Sequence, residues 1–258
     1  MTHTDRQPRG LDEIVRISRA VGHPKNDLVV LAEGNTSLKT SEGRMLVKAT
    51  GANLRTVTAE DFVEVDLDVL LELIRSDRVG DDEVAIACAA GVTWGTKRPS
   101  VEALLHAVCH TCAGVTAVIH THSTPVNALL CSDQAELLTR GSLFPDQIVV
   151  LGRHTLLIPY IDPGLPLARF VLARLLEHTA EHGSPPRVVY LQNHGVFALG
   201  ASTDDAMQVT TMAAKSARVL LGALSVGRPT FLEPTNAERI DTRPDELLRR
   251  SILLEGQV

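Results

Sequence analysis

Short runs of β-branched and apolar residues alternate along this chain with longer stretches of helical periodicity, and that alternation restricts the fold more than any other feature. Leu11, Ile14, Val15 and Ile17 form an apolar stripe that predicts a helix over Leu11–Val21. Short strands are expected at Leu28–Leu31, Asn35–Lys39, Met45–Lys48 and Phe62–Val65, divided by glycine-containing turns such as Glu42-Gly43. Helices follow over Val69–Ile74, Glu83–Ala90 and Val101–Cys112, leading into a strand that ends near His122. Beyond it the pattern predicts a helix at Val126–Leu130, a strand at Ile148–Leu151 and a long helix at Leu165–His182. Strands Val188–Leu191 and Val196–Leu199 and a helix Asp204–Leu224 complete it. Short strands flanked by helices imply an α/β fold of three layers, α/β/α, around a central, mainly antiparallel sheet.

With 258 residues, 44% of them hydrophobic, the chain can bury a large core. No repeat, low-complexity tract or long linker divides it, so residues 1–258 are expected to form a single domain. The sequence turns polar after Gly227, and residues 225–258 read as a C-terminal helical extension ending in a helix over Asp245–Leu254. No apolar run is long enough to span a bilayer, and MTHTDRQPRG carries no apolar signal core, so the expected location is cytoplasmic. Cys88, Cys109, Cys112 and Cys131 are expected as reduced thiols. The net charge of −6, without clustered Lys and Arg, argues against a nucleic-acid or anionic-membrane surface.

The segment VTAVIHTHSTP, Val115–Pro125, places two histidines one residue apart at a strand end. Alternation along a strand sends His120 and His122 to one face and Thr121 to the other, so two imidazoles can chelate. A strand giving way to a polar turn explains the pair equally simply. A third imidazole, His194 in VVYLQNHGVFALG, lies at a bend between two expected strands, where it is either a ligand or a residue of a hairpin turn. Three histidines and an open position are the ligand count of a catalytic zinc site. Glu102, two residues after a helix-capping Ser100, is either the acid or base of that site or a first-turn carboxylate favoured by the helix dipole. HAVCHTC offers His106, Cys109, His110 and Cys112, but helical geometry turns Cys112 away from the other three. These read as core residues, with His106 hydrogen-bonding near the site.

Five motifs in order, EGNTSLK (Glu33–Lys39), KATG (Lys48–Gly51), RPSVE (Arg98–Glu102), HTH (His120–His122) and QNHG (Gln192–Gly195), resemble the class II aldolase and adducin family. These are metal-dependent sugar-phosphate aldolases similar to fuculose-phosphate aldolase and to the aldolase half of bifunctional rhamnulose-phosphate aldolase and dehydrogenase proteins. The resemblance implies Zn2+, or another divalent metal, on His120, His122 and His194, with Glu102 as proton shuttle. It implies a substrate phosphate held by Gly34, Asn35, Thr50, Gly51 and Ser100, and a homotetramer acting on a small phosphorylated sugar. Lys39 and Lys48 either add charge to that site or are solvated strand ends. Val101 stands where many members have a second serine, which removes one phosphate contact. Only Tyr160 and Tyr190 are available for the tyrosine that some members donate across a subunit boundary. The same scaffold also hosts 4-epimerases, dehydratases, ligand sensors and non-catalytic adducin-like modules.

Overall fold

The computed structural model describes residues 7–41, 43–76 and 81–254. The polar start of the chain, residues 1–6, and the last four residues of the expected C-terminal extension lie outside them. In chain order the elements are α1 (Leu11–Val21), β1 (Asn35–Ser41), β2 (Arg44–Lys48), β3 (Phe62–Asp66), α2 (Leu67–Arg75), α3 (Asp81–Ala90) and β4 (Val92–Trp94). Next come α4 (Ala103–Cys109), β5 (Ala117–Thr121), α5 (Thr124–Leu130), α6 (Pro145–Leu151), β6 (Leu156–Ile158) and α7 (Leu165–His182). The order closes with β7 (Val188–Leu191), β8 (Gly195–Gly200), α8 (Thr203–Val226), α9 (Pro234–Thr242) and α10 (Pro244–Leu254).

The strands form one eight-stranded sheet in the order β4-β3-β2-β1-β5-β8-β7-β6, antiparallel throughout except for the parallel β6–β7 edge pair. The two-residue period of each strand divides its side chains between two cores. Leu46, Ile119, Tyr190 and Ala198 face a layer built by α1, α5, α6 and α8. Met45, Val47, Val118, Val189, Phe197 and Leu199 face a layer built by α2, α4 and α7. The expected three-layer, mainly antiparallel architecture is therefore present. Local chemistry sets the helix starts: Asp66 accepts the amides of Asp68 and Val69 at α2, and Ser202 accepts that of Asp205 at α8.

Several boundaries differ from the sequence reading. Leu28–Leu31 is not a strand, because Asp27 and Leu31 take left-handed φ angles of 54° and 55° and buckle the segment. Ile148–Leu151 is the second half of helix α6, opened by Pro145 after an extended Phe144; a short apolar run buried on all sides has no period to tell helix from strand. The three-residue strands β4 and β6 and helix α9 are additions. Helix α4 starts at Ala103, leaving Glu102 at its N-cap position.

A candidate metal and acid–base site at the end of the central strands

The site forms where β1, β5 and β8, adjacent at the middle of the sheet, end on the α4 side. His120 lies in β5, fully buried, with its ring stacked 4.1 Å from that of Phe197 on β8. Its Nδ1 donates to the Val196 carbonyl at 3.1 Å, which orients the ring and turns Nε2 into the site. His122 follows the strand end on the same side, its Nε2 3.0 Å from that of His120. His194 stands in the turn between β7 and β8, a turn that Asn193 makes possible with a φ of 55°. Its ring centroid is 5.1 Å from that of His120 and 5.2 Å from that of His122. Gly195, next in sequence, allows this approach: a Cβ there would lie 2.6 Å from the Thr121 carbonyl oxygen and 2.7 Å from Cδ2 of His122.

Glu102 enters from the start of α4. Its Oε1 is 2.9 Å from His194 Nε2 and 3.4 Å from His120 Nε2, and its Oε2 accepts from Asn35 Nδ2 at 2.6 Å. Burial works to raise the Glu102 carboxyl, but His120 and His194 beside it more than offset this and hold it well below the usual carboxylate range. Burial, then its two histidine neighbours, lower His122 to about 4. An ionised Glu102 carboxylate thus stands among the three imidazoles. His120 Nε2 lies 3.0 Å from His122 Nε2 and 3.4 Å from Glu102 Oε1, so three ligand-type atoms crowd about one point, an arrangement that suits a cation between them. Among the described residues, the one His, Cys, Asp and Glu group compact enough for a metal ion is His120, His122 and His194, whose ligand atoms lie within 4.8 Å of one another. The donor set fits a divalent metal such as zinc.

Asn35 links Glu102 to a buried network. Its Oδ1 meets His106 Nε2, whose Nδ1 is 2.7 Å from Ser37 Oγ, and the same hydroxyl is 2.8 Å from His110 Nε2. Burial lowers His106 well below its ordinary range, with His120 adding to the shift. The HAVCHTC histidines therefore hydrogen-bond beneath the site, and Cys109 and Cys112 are free, buried thiols in the core, as their spacing implies.

The other candidate residues cluster beside Glu102. Ser100 Oγ lies 3.3 Å from Asn35 Nδ2 and accepts the Glu102 amide at 3.3 Å. Gly34, with φ 69°, passes so close to β5 that a Cβ would sit 2.9 Å from the His120 carbonyl oxygen. The loop bearing Thr50 and Gly51 joins the Arg98–Ser100 segment through an Ala49–Pro99 bridge and a 3.0 Å bond from the Thr50 amide to the Arg98 carbonyl. Thr50, Arg98, Ser100 and Val101 line a cavity of about 490 Å³ whose other walls are apolar, including Cys88, Leu104 and Leu165. Neither lysine is a solvated strand end. Lys48 is buried and donates to the Ala32 and Ala52 carbonyls, which ties the two glycine loops together; burial lowers its pKa against the pull of Glu102. Lys39 donates to the His110 carbonyl at 3.0 Å. Tyr190 is in the core, where burial raises its hydroxyl pKa, whereas Tyr160 is exposed and donates to Asp162. Sequence reasoning missed Glu33 within EGNTSLK, whose carboxylate reaches His122. Its adjacency to the Gly34–Asn35 pair was the available signal.

The sequence pattern of the class II aldolase and adducin N-terminal domain matches residues 12–221, and the chain belongs to that family. It is 27% identical over 212 residues to the uncharacterized oxidoreductase YuxG of Bacillus subtilis, covering 79% of this chain and 28% of that protein, so the chain spans little more than a quarter of that relative. It is 24% identical over 211 residues to the 3-oxo-tetronate 4-phosphate decarboxylase of Haemophilus influenzae, covering 81% and 86% of the two chains. It is also 26% identical over 216 residues to the methylthioribulose-1-phosphate dehydratase of Gluconacetobacter diazotrophicus, covering 80% and 90%. A solved L-fuculose 1-phosphate aldolase superposes with a TM-score of 0.69 at 20% identity over 93% of this chain and 98% of that one, which shows a shared fold. The proteins to which the chain is similar thus carry names for aldol cleavage, decarboxylation and dehydration. Among the described residues, no helix is long and apolar enough to cross a membrane.

Proposed function

We propose that this chain is a zinc-dependent aldolase that cleaves a small ketose phosphate, with His120, His122 and His194 as metal ligands and Glu102 as the acid–base group. The observation carrying this reading is the convergence of His120, His122 and His194 on Glu102 Oε1, with the carboxylate held from behind by Asn35. The three imidazoles would hold a divalent cation, which would supply Lewis-acid stabilisation of the negative charge that develops on the ketose fragment when the carbon–carbon bond breaks. The protein's own work is positional. Ionised Glu102 accepts a proton through Oε1, the oxygen that faces the site, and returns it, while the Asn35 amide fixes Oε2. Backbone amides at Gly34, Asn35 and Gly51, with the Thr50 and Ser100 hydroxyls, hold the substrate phosphate, and Arg98 at the same cavity adds a positive charge.

A second reading, dehydration or decarboxylation of a sugar phosphate at the same residues, is favoured by the comparable identity to relatives that bear those names. A sugar-phosphate 4-epimerase uses the same residues too, whereas a non-catalytic adducin-like module has no use for Glu102 among three imidazoles. We further propose residues 1–258 as a single class II aldolase domain with 225–258 as its C-terminal helical extension, assembled as a cytoplasmic homotetramer. Metal analysis of the purified protein, followed by screening ketose 1-phosphates for release of dihydroxyacetone phosphate, tests the main reading. About one zinc per chain and aldehyde formation are expected; a dehydrated product, or carbon dioxide released from a 3-oxo sugar-acid phosphate added to the screen, without aldehyde release would transfer the assignment to the second.

A further inference from the structure

Glu33 is set between a metal-ligand candidate and the loop that carries it. Its Oε2 lies 3.2 Å from His122 Nδ1, the ring nitrogen opposite the Nε2 that faces the site. Its Oε1 accepts the Val30 backbone amide at 2.6 Å. The loop between them is irregular, with left-handed residues at Asp27, Leu31 and Gly34, and it is tied to the site at two further points. The His122 amide donates to the Leu28 carbonyl at 3.0 Å, and Lys48 Nζ donates to the Ala32 carbonyl at 3.1 Å. Leu28 anchors its start in the core, but Val30 and Leu31 at its apex are 62% and 80% exposed, so the apex is held by these polar contacts rather than by packing.

The histidines differ in what stands behind them. His120 donates its outer nitrogen to a neutral carbonyl, that of Val196, whereas His122 faces a carboxylate. A carboxylate accepting Nδ1–H selects the tautomer with a free Nε2 pair, restrains the ring and makes that pair more basic. His120 is locked in place by stacking on Phe197 and complete burial, while His122 is part-exposed, so His122 is the ring that needs an external restraint. Glu33 is not itself part of the compact metal-binding group.

We infer that Glu33 is a positioning residue that holds His122 in its metal-binding tautomer and couples metal uptake to the order of the Asp27–Gly34 loop. The inference rests on the metal site proposed above, and its test separates the two. Zinc dissociation constants are measured by chelator competition for the wild-type chain, Glu33→Gln and Glu33→Ala, alongside 15N shifts of the His122 ring and amide exchange at Val30. Glu33→Ala is expected to bind zinc about 10- to 100-fold more weakly, to lose the predominance of the Nδ1–H tautomer at His122, and to exchange faster at Val30. Glu33→Gln keeps an oxygen that can accept from one of the two donors and is expected to fall between. Zinc affinity within twofold of wild type in Glu33→Ala, with an unchanged His122 tautomer, overturns the inference and leaves the metal site standing. Loss of an oxygen neighbour from the zinc X-ray absorption spectrum in that variant also overturns it, by making Glu33 a ligand. A wild-type chain that takes up no zinc removes the metal site and this inference together.

Discussion

Gly195→Ala is the sharpest test of how the site is packed, because it adds one methyl group where three parts of the site meet. The new Cβ would lie 2.6 Å from the Thr121 carbonyl oxygen, 2.7 Å from His122 Cδ2 and 3.0 Å from His120 Cε1. Carbon and oxygen settle at about 3.3 Å or more even in their closest favourable contacts, so β8 must retreat from β5 by several tenths of an ångström. Thr121 and Val196 are paired across these strands, and the strain therefore falls on the sheet itself. Overpacking of this kind costs about 1–3 kcal/mol, which for a chain of this size lowers Tm by roughly 2–10 °C. The two imidazoles must also turn away from the methyl, which displaces their Nε2 atoms, and zinc affinity is expected to fall by about 10- to 100-fold. Gly222→Ala is the control: it lies within α8 with nothing inside 4 Å of its Cβ position, and it should stabilise the chain by about 0.5–1 kcal/mol without touching zinc binding. Chelator competition and thermal unfolding of the metal-free chain measure the two effects separately. Wild-type zinc affinity in Gly195→Ala would show that the imidazoles do not meet the metal in the arrangement described.

Glu102→Gln keeps the size of the side chain but not its basicity, so turnover should drop by about a hundredfold or more at undiminished zinc content; a residue that only favoured the helix dipole would cost about 0.3–1 kcal/mol of stability and leave turnover intact. Acid should destabilise the fold through His110, which burial lowers to about 3 from an unfolded value near 6.5. The folded chain excludes a proton that the unfolded chain takes up, so this contribution is complete above pH 6.5 and is lost as pH falls toward 3, at up to about 1.4 kcal/mol per pH unit, and urea titrations of His110→Gln should show a shallower loss than wild type. Val101→Ser restores a hydroxyl at the rim of the Thr50–Ser100 cavity; for a phosphorylated ketose it should lower KM by roughly tenfold with kcat unchanged, and an unaltered KM would place the phosphate elsewhere.

The elements legible in the sequence were those with a long period or a chemical punctuation mark. Helix α1 matches its expected span because Leu11, Ile14, Ile17 and Val21 repeat at helical spacing and are buried. That His120 and His122 share a face was readable from strand alternation, but a turn explained the pair and His194 equally well, and only the resemblance of the five motifs joined the three into one ligand set. Ile148–Leu151 was misread because a stretch buried on every side has no period. Leu28–Leu31 was misread because nothing local announces that Asp27 and Leu31 adopt left-handed φ; the segment is instead held by contacts to His122, 89 residues beyond Glu33, through the His122 amide and Glu33. Lys48 shows the same limit. Its burial follows from two carbonyls offered by separate loops, which no spacing rule within KATG encodes.

The division of the site between core and rim bears on how one scaffold accommodates different reactions. Asn35, His106, His120 and Phe197 sit on the central strands and α4, buried and mutually bonded or stacked, so their geometry is set by the packing of the whole sheet. Thr50, Gly51, Arg98 and Val101 are exposed on loops joined to that framework by a few backbone bonds. Changes at the rim can therefore reshape the cavity without disturbing the imidazoles, whereas a change such as Gly195→Ala alters both the sheet and the ligands. Aldol cleavage, decarboxylation beside a carbonyl and dehydration all need charge stabilised next to a carbonyl carbon, which the buried half supplies. Which bond breaks then depends on the bond that the rim aligns with Glu102 Oε1, the site-facing oxygen, while Oε2 stays anchored on Asn35.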